Sequence, residues 1–173
     1  MAQHKQPSEV WMRGRIEGVP PLLQPVAHTL LQIEEDLKLY TSYIDDGSLW
    51  SRPSGVASVG FHLLHIPGVI DRMFTYALGL PLTEQQFSYL RNESLENDDL
   101  TIEELLLAAC KKIQWSINQL RETDESLLTE TRYLGRNRIP TTLIGLLFHA
   151  AEHTQRHIGQ MLVTIRVIQH SSS

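Results

Sequence analysis

Three histidines, His149, His153 and His157, stand four residues apart in the segment from Phe148 to Gln160, and His62 and His65 lie in a second apolar-periodic segment. Four residues are just over one helical turn, so side chains at that spacing stack on one face and can close on one ion. Six of the eight histidines (His28, His62, His65, His149, His153 and His157) fall in runs that read as helix rather than in tails. Imidazole binds divalent metals through a ring nitrogen at about 2.0–2.1 Å. The clustering therefore points to a divalent cation held between helices.

Projecting the last segment at about 100° per residue gathers Leu143, Leu147, Ala151, Ile158, Met161, Leu162 and Ile165 into an apolar stripe. His157 falls at the edge of that stripe, His153 further round and His149 further still, which favours His153 and His157 as ligands. Two ligands rarely suffice, and His62 or His65 on a facing helix can supply a third. Three imidazoles leave a position open for water or substrate, the pattern of a catalytic rather than a closed structural site. Ligand imidazoles must be neutral, so affinity for a metal held this way should drop steeply below roughly pH 6. If these histidines are instead ordinary surface or core residues, chelators should leave thermal stability unchanged.

The elements that would carry them are helical. Leu22, Val26, Leu30, Ile33, Leu37 and Tyr40 recur at three and four, predicting a first helix over about 21–44, closed by Asp45-Asp46-Gly47-Ser48. Val59, His62, Ile66, Val69, Met73 and Tyr76 predict a second over about 55–78, with a short helical piece at 83–91 in the following connection. Thr101-Ile102-Glu103-Glu104 has capping-box spacing and opens a third helix running to about 122. The fourth spans about 140–168, after a turn or tight hairpin at Leu134 to Arg138. No stretch of useful length alternates at period two, so the expectation is an all-α four-helix bundle over residues 21–169. An N-terminal arm (1–20) containing Val10, Trp11, Met12 and Ile16 and a disordered tail (170–173) complete the chain.

The 173 residues suit one domain with a real core, and 42% apolar and 20% charged residues are ordinary for a globular protein. A net charge of −5 gives no footprint for a nucleic-acid partner. The absence of a long apolar run and of a signal-peptide pattern argues against a membrane partner. Cys110 is the only cysteine, which excludes an internal disulfide framework and fits a reducing cytoplasm. Among Leu106, Leu107 and Ile113 it reads as a small core residue, not a nucleophile.

Three blocks, Pro21-Leu22-Leu23-Gln24-Pro25-Val26-Ala27-His28, Val59 to Arg72 with His62 and His65, and the fourth-helix histidines with Gln160, resemble the DinB-like (damage-inducible) superfamily over about residues 9–168. The His…His-x3-His-x2-Gln layout is the specific part. The resemblance implies a bundle of up-down-down-up connection binding zinc or nickel through one histidine of the second helix and two of the fourth. Matched residue by residue, these are His65, in His-Ile-Pro-Gly, with His153 and His157. His62 and His149 are off the motif, which leaves His62 as a partner of a ligand ring or plain packing. Pro67 departs from the usual pattern. In a helix interior it removes the bond to the Leu63 carbonyl, so it predicts a kink, while Gly68 permits a bend or a close helix approach.

The resemblance further implies a metal-dependent enzyme acting on a small-molecule substrate, either a thiol transferase with a low-molecular-weight thiol as co-substrate or a hydrolase. The alternative is a non-catalytic metal-binding or stress-related interaction module, with His62, His149 or Glu152 as fourth ligand. For hydrolysis a base is wanted, and the candidates are weak. Asp71 and Arg72 read as ion-pair residues, and Glu152 and Arg156 as an i,i+4 pair. Gln155 or Gln160 is positioned to orient a ligand ring, and His28 to line the pocket if the first helix borders it. Family members often pair, so a homodimer through the Trp11 arm and Phe87, Tyr89 and Leu90 is a further expectation.

Overall fold

Burying one apolar stripe from each long helix produces the architecture. The computed structural model describes residues 8–171, in which α1 (Gln24–Thr41), α2 (Val59–Ala77), α4 (Ile102–Glu122) and α5 (Leu143–Ser171) form a four-helix bundle and α3 (Glu84–Asn92) lies in the α2–α4 connection. Leu23, Leu30, Ile33 and Leu37 interlock at the core with Leu63, Ile66 and Ile70, with Ile113, Ile117 and Leu120, and with Leu147, all almost fully buried. The principal contacts run α2–α5, α2–α4, α1–α5 and α1–α4. Consecutive helices α1 and α2 are therefore not principal neighbours, as they would be in a simple up-and-down bundle. The connections are long enough for this, at residues 42–58 and 123–142.

Local chemistry sets the helix ends. Ser58 caps α2 by accepting from the Phe61 amide, so this helix starts at Val59 rather than at about 55, and Pro53–Gly55 forms a separate 3-10 turn. Pro21–Leu23 is likewise a 3-10 turn before α1, whose α-helical bonding begins at Gln24. Thr101 and Glu104 make the expected reciprocal cap of α4, and Asp46 adds to it by accepting from the Ile102 amide at 2.7 Å. Thr83 and Gln86 cap α3 in the same way.

Several sequence expectations are corrected. The bundle itself stands, and the tight hairpin expected at Leu134 to Arg138 is built from β1 (Thr131–Leu134) and β2 (Ile139–Thr142), which pair antiparallel from Thr131 opposite Thr142 to Leu134 opposite Ile139. Strands of four residues are too short for an alternating pattern to register. The last helix continues to Ser171, so His170 and Ser171 are not a disordered tail; their side chains bond the carbonyls of Arg166 and Val167. Residues 172–173 of that tail and 1–7 of the arm lie outside the described residues. In the rest of the arm Val10 is buried, its amide on Gln32 Oε1, while Trp11 and Met12 are exposed. Cys110 is half-buried instead of core, and burial pushes its thiol pKa up, with the charge of Glu34 adding to the effect.

Pro67 does not break α2, which runs as one helix from Val59 to Ala77. The Tyr89 hydroxyl donates to the Leu64 carbonyl at 2.7 Å, beside the Leu63 carbonyl whose helical donor Pro67 lacks. Close helix approach is what Gly68 provides: a Cβ there would fall 2.7 Å from the Tyr89 ring and 2.9 Å from both Arg72 Nη1 and Glu93 Oε2. Phe87 and Tyr89, expected on a dimer face, are engaged within the chain, Phe87 half-buried beneath Arg136.

Candidate metal centre

α2 and α5 are in the most extensive contact in the bundle, and the histidines meet along it. His65 Nε2 and His157 Nε2 each stand 3.1 Å from His153 Nε2. Nitrogens bound tetrahedrally to one ion at about 2.0–2.1 Å are separated by about 3.3 Å. His65, His153 and His157 are the one group of metal-ligating side chains, among the described residues, that brings three such atoms within 4.8 Å of one another. The donor set fits a divalent ion: three half-buried imidazoles, one on α2 and two a turn apart on α5.

Burial keeps the His153 and His157 rings neutral, as ligands must be. Burial pushes the pKa of His157 down to about 3, helped by the neighbouring His65, His62 and His153. Burial also lowers His153, with His65, His149 and Arg156 contributing. Crowding cations into a partly dry site is unfavourable, so the lone pairs remain available.

The outer nitrogens are held unequally. His65 Nδ1 donates to Glu93 Oε1 at 2.7 Å, and the second oxygen of Glu93 takes Arg72 Nη1 at 3.0 Å. His157 Nδ1 lies 3.0 Å from His62 Nδ1. His62 is 1% exposed, and burial together with the charge of His65 depresses its pKa to about 4, so it stays neutral and can accept the His157 proton. His62 thus pairs with the His157 ring and is not plain packing. His153 Nδ1 instead meets a donor, Arg156 Nη2, at 3.0 Å. A ring whose Nε2 lone pair faces the cluster carries its proton on Nδ1, where it cannot pair with Arg156, whose Nε is meanwhile on Glu152 at 3.0 Å.

The remaining candidates fall away from the cluster. His149 is the wet-side residue the projection indicated, 42% exposed at its side chain and paired with Glu152 at 2.8 Å. His28 bonds the Gly14 carbonyl at 2.9 Å. Gln160 is exposed, and the buried Gln155 Oε1 has no hydrogen-bond partner among the described residues, so neither glutamine orients a ligand ring. Asp71 pairs with Lys112 at 2.6 Å and Arg72 with Glu93, both ion pairs between elements as their types suggested. Glu93 is the residue the sequence reading missed. It lies 28 positions from His65, and its one local signal is a carboxylate ending a short capped helix.

A bundle joined by long crossovers, with a three-histidine cluster between its second and last long helices, defines a class, and comparison with known proteins says which. A family model of the DinB superfamily matches residues 7–161, and the chain belongs to that superfamily. No curated protein matches the sequence. The fold is similar to that of a conserved protein from Enterococcus faecalis (TM-score 0.66, 16% identity, covering 86% of this chain and 98% of that one). It is also similar to YfiT from Bacillus subtilis (TM-score 0.62, 15% identity, 90% and 93% covered), described as a probable metal-dependent hydrolase with an unusual four-helix bundle topology. Within this chain, no helix among the described residues is long and apolar enough to cross a membrane.

Proposed function

We propose that His65, His153 and His157 hold one divalent cation, zinc or nickel, and that the protein is a metal-dependent enzyme acting on a small molecule. The observation carrying this reading is the convergence of the three Nε2 atoms, two of them with an acceptor behind the ring. A bound divalent cation at such a site supplies charge that lowers the pKa of water or of a substrate thiol.

The protein's own residues favour an open site over a structural staple. The fourth ligands that a staple needs are engaged elsewhere: His62 Nδ1 faces the outer nitrogen of His157, while His149 and Glu152 pair with each other. Between the two candidate reactions, thiol transfer is the better supported. Hydrolysis wants a carboxylate or another free base beside the open position. The nearby acids are committed, Glu93 to His65 and Arg72, and Glu152 to His149 and Arg156.

Metal analysis of untagged wild-type protein beside His65→Ala and His153→Ala tests the site. One ion per chain in the wild type and none in either variant is the expected result; equal loading in all three refutes it. A turnover screen of metal-loaded protein then compares low-molecular-weight thiols plus electrophilic acceptors with activated esters and amides. Thiol-dependent turnover supports transfer, ester or amide cleavage without thiol makes the protein a hydrolase, and turnover in neither favours a non-catalytic metal module.

A further inference from the structure

α3 has no buried residue within its nine positions, and a helix of that length is marginal by itself. It is nevertheless tied to α2 along its whole length. Gln86 Nε2 donates to Asp71 Oδ2 at 2.6 Å and to Thr75 Oγ1 at 2.7 Å. The Tyr89 hydroxyl donates to Leu64 O, the carbonyl next to His65, and the Tyr89 ring sits where any side chain on residue 68 would have to be. The helix then ends in Glu93, 5% exposed, whose carboxylate reaches His65 and Arg72. Burying a carboxylate is costly, and this one is compensated, among the described residues, at the histidine and the arginine.

We propose that Glu93 is a positioning residue for the metal, and that docking of α3 on α2 and loading of the three-histidine site are one coupled equilibrium. The inference rests on the metal-centre reading above. A metal-bound imidazole donates its other N–H, and a carboxylate acceptor fixes the tautomer, orients the ring and raises its basicity. Glu93 does this for His65, and it is in place only while α3 is docked. Coupling of this kind is reciprocal: whatever docked α3 adds to metal affinity, bound metal adds to the docking of α3. The Arg72–Glu93 pair alone would tie α3 to α2 without any such link.

The test uses the full chain, zinc titration against a competing chelator, and amide hydrogen exchange of residues 84–93 with and without zinc. Glu93→Gln keeps the shape and removes the charge. The paired variant Arg72→Met/Glu93→Met removes both buried charges together, so no lone charge is left to unfold the protein. Gly68→Ala displaces Tyr89 and Glu93 while every ligand and acceptor keeps its residue type. Zinc should slow exchange across α3 in the wild type, and the slowing should disappear in the paired variant. Zinc affinity should fall about 10- to 100-fold in Glu93→Gln and in the paired variant, and should also fall in Gly68→Ala. A folded paired variant with wild-type affinity reduces Glu93 to an ion-pair partner and overturns the proposal. Zinc-independent exchange in a wild type that binds zinc also overturns it. A wild type that takes up neither zinc nor nickel overturns the metal-centre reading itself.

Discussion

On one side of the histidine cluster Glu93 bridges Arg72 and His65 between α3 and α2, with side-chain exposures of 6%, 8% and 15%. On the other side Glu152 bridges Arg156 and His149 along α5, with exposures of 33%, 60% and 42%. The residue types are the same and the distances alike, between 2.7 and 3.0 Å. What differs is water. In the first set the two charges, Glu93 and Arg72, have lost their solvent and depend on each other, so removing one strands the other; in the second, solvent takes up whatever is released. The first set therefore constrains both fold and site, whereas the second mainly decorates a wet face.

The largest effect expected from breaking this contrast is that of Glu93→Ala, which leaves Arg72 buried and unpaired. It should cost about 3–5 kcal/mol of folding stability, measured by urea denaturation of chelator-treated protein. A cost under about 1 kcal/mol would mean that water reaches Arg72 and that the two sets are alike. The paired Arg72→Met/Glu93→Met variant sharpens the point. With both charges gone it should recover most of that loss, because apolar replacement of a whole buried pair is often neutral or stabilising.

Next in size is His62→Phe. It keeps an aromatic ring between Phe61 and His157 but removes the acceptor for the His157 Nδ1 proton. Zinc affinity should drop roughly tenfold, the lower end for loss of an outer partner. An unchanged affinity in a chelator competition would return His62 to packing alone. For the exposed set, Glu152→Gln should change stability by no more than about 0.2–0.5 kcal/mol, and by less at high salt. A loss above about 1 kcal/mol would show that exposure misjudges this pair.

The same contrast explains what could be read in the sequence. His153 and His157 were legible because they sit a turn apart on one periodic helix, while the second helix offered His62 or His65 and the family resemblance, not local geometry, chose His65. The long helices were legible from the same periodicity, and the capping box at Thr101 and Glu104 marked one start to the residue. Glu93 was not legible, because its partners are chosen by how α3 lies on α2, and Gly68 makes that approach possible without any local pattern announcing it. His62 was ambiguous for a related reason: three residues before His65, it could take either role, and only the position of the His157 ring decides. The β1–β2 pairing and the half-exposed side of Cys110 are likewise tertiary outcomes.

Asp36 offers the most selective test, since it is a half-buried carboxylate without an ion-pair partner among the described residues. It receives the Gln32 amide at 2.9 Å and that of Gln155, yet burial outweighs these bonds and pushes its pKa above the ordinary carboxylate value. The folded state therefore holds this proton more tightly than the unfolded chain does. Asp36 contributes stability below the unfolded value of about 3.9, and that contribution is lost as pH rises through the raised folded value. At pH 7 the carboxylate is a net cost, lessened because the group is only half-buried. Asp36→Asn should accordingly raise the melting temperature at pH 7 by no more than about 2–4 °C, the equivalent of about 1 kcal/mol in a chain of this size. The gain should shrink towards zero as the pH is lowered to about 4. A variant that is less stable at pH 7 would show that the two amide bonds outweigh the loss of water, which would bring Asp36 energetically closer to Glu93 than to Glu152.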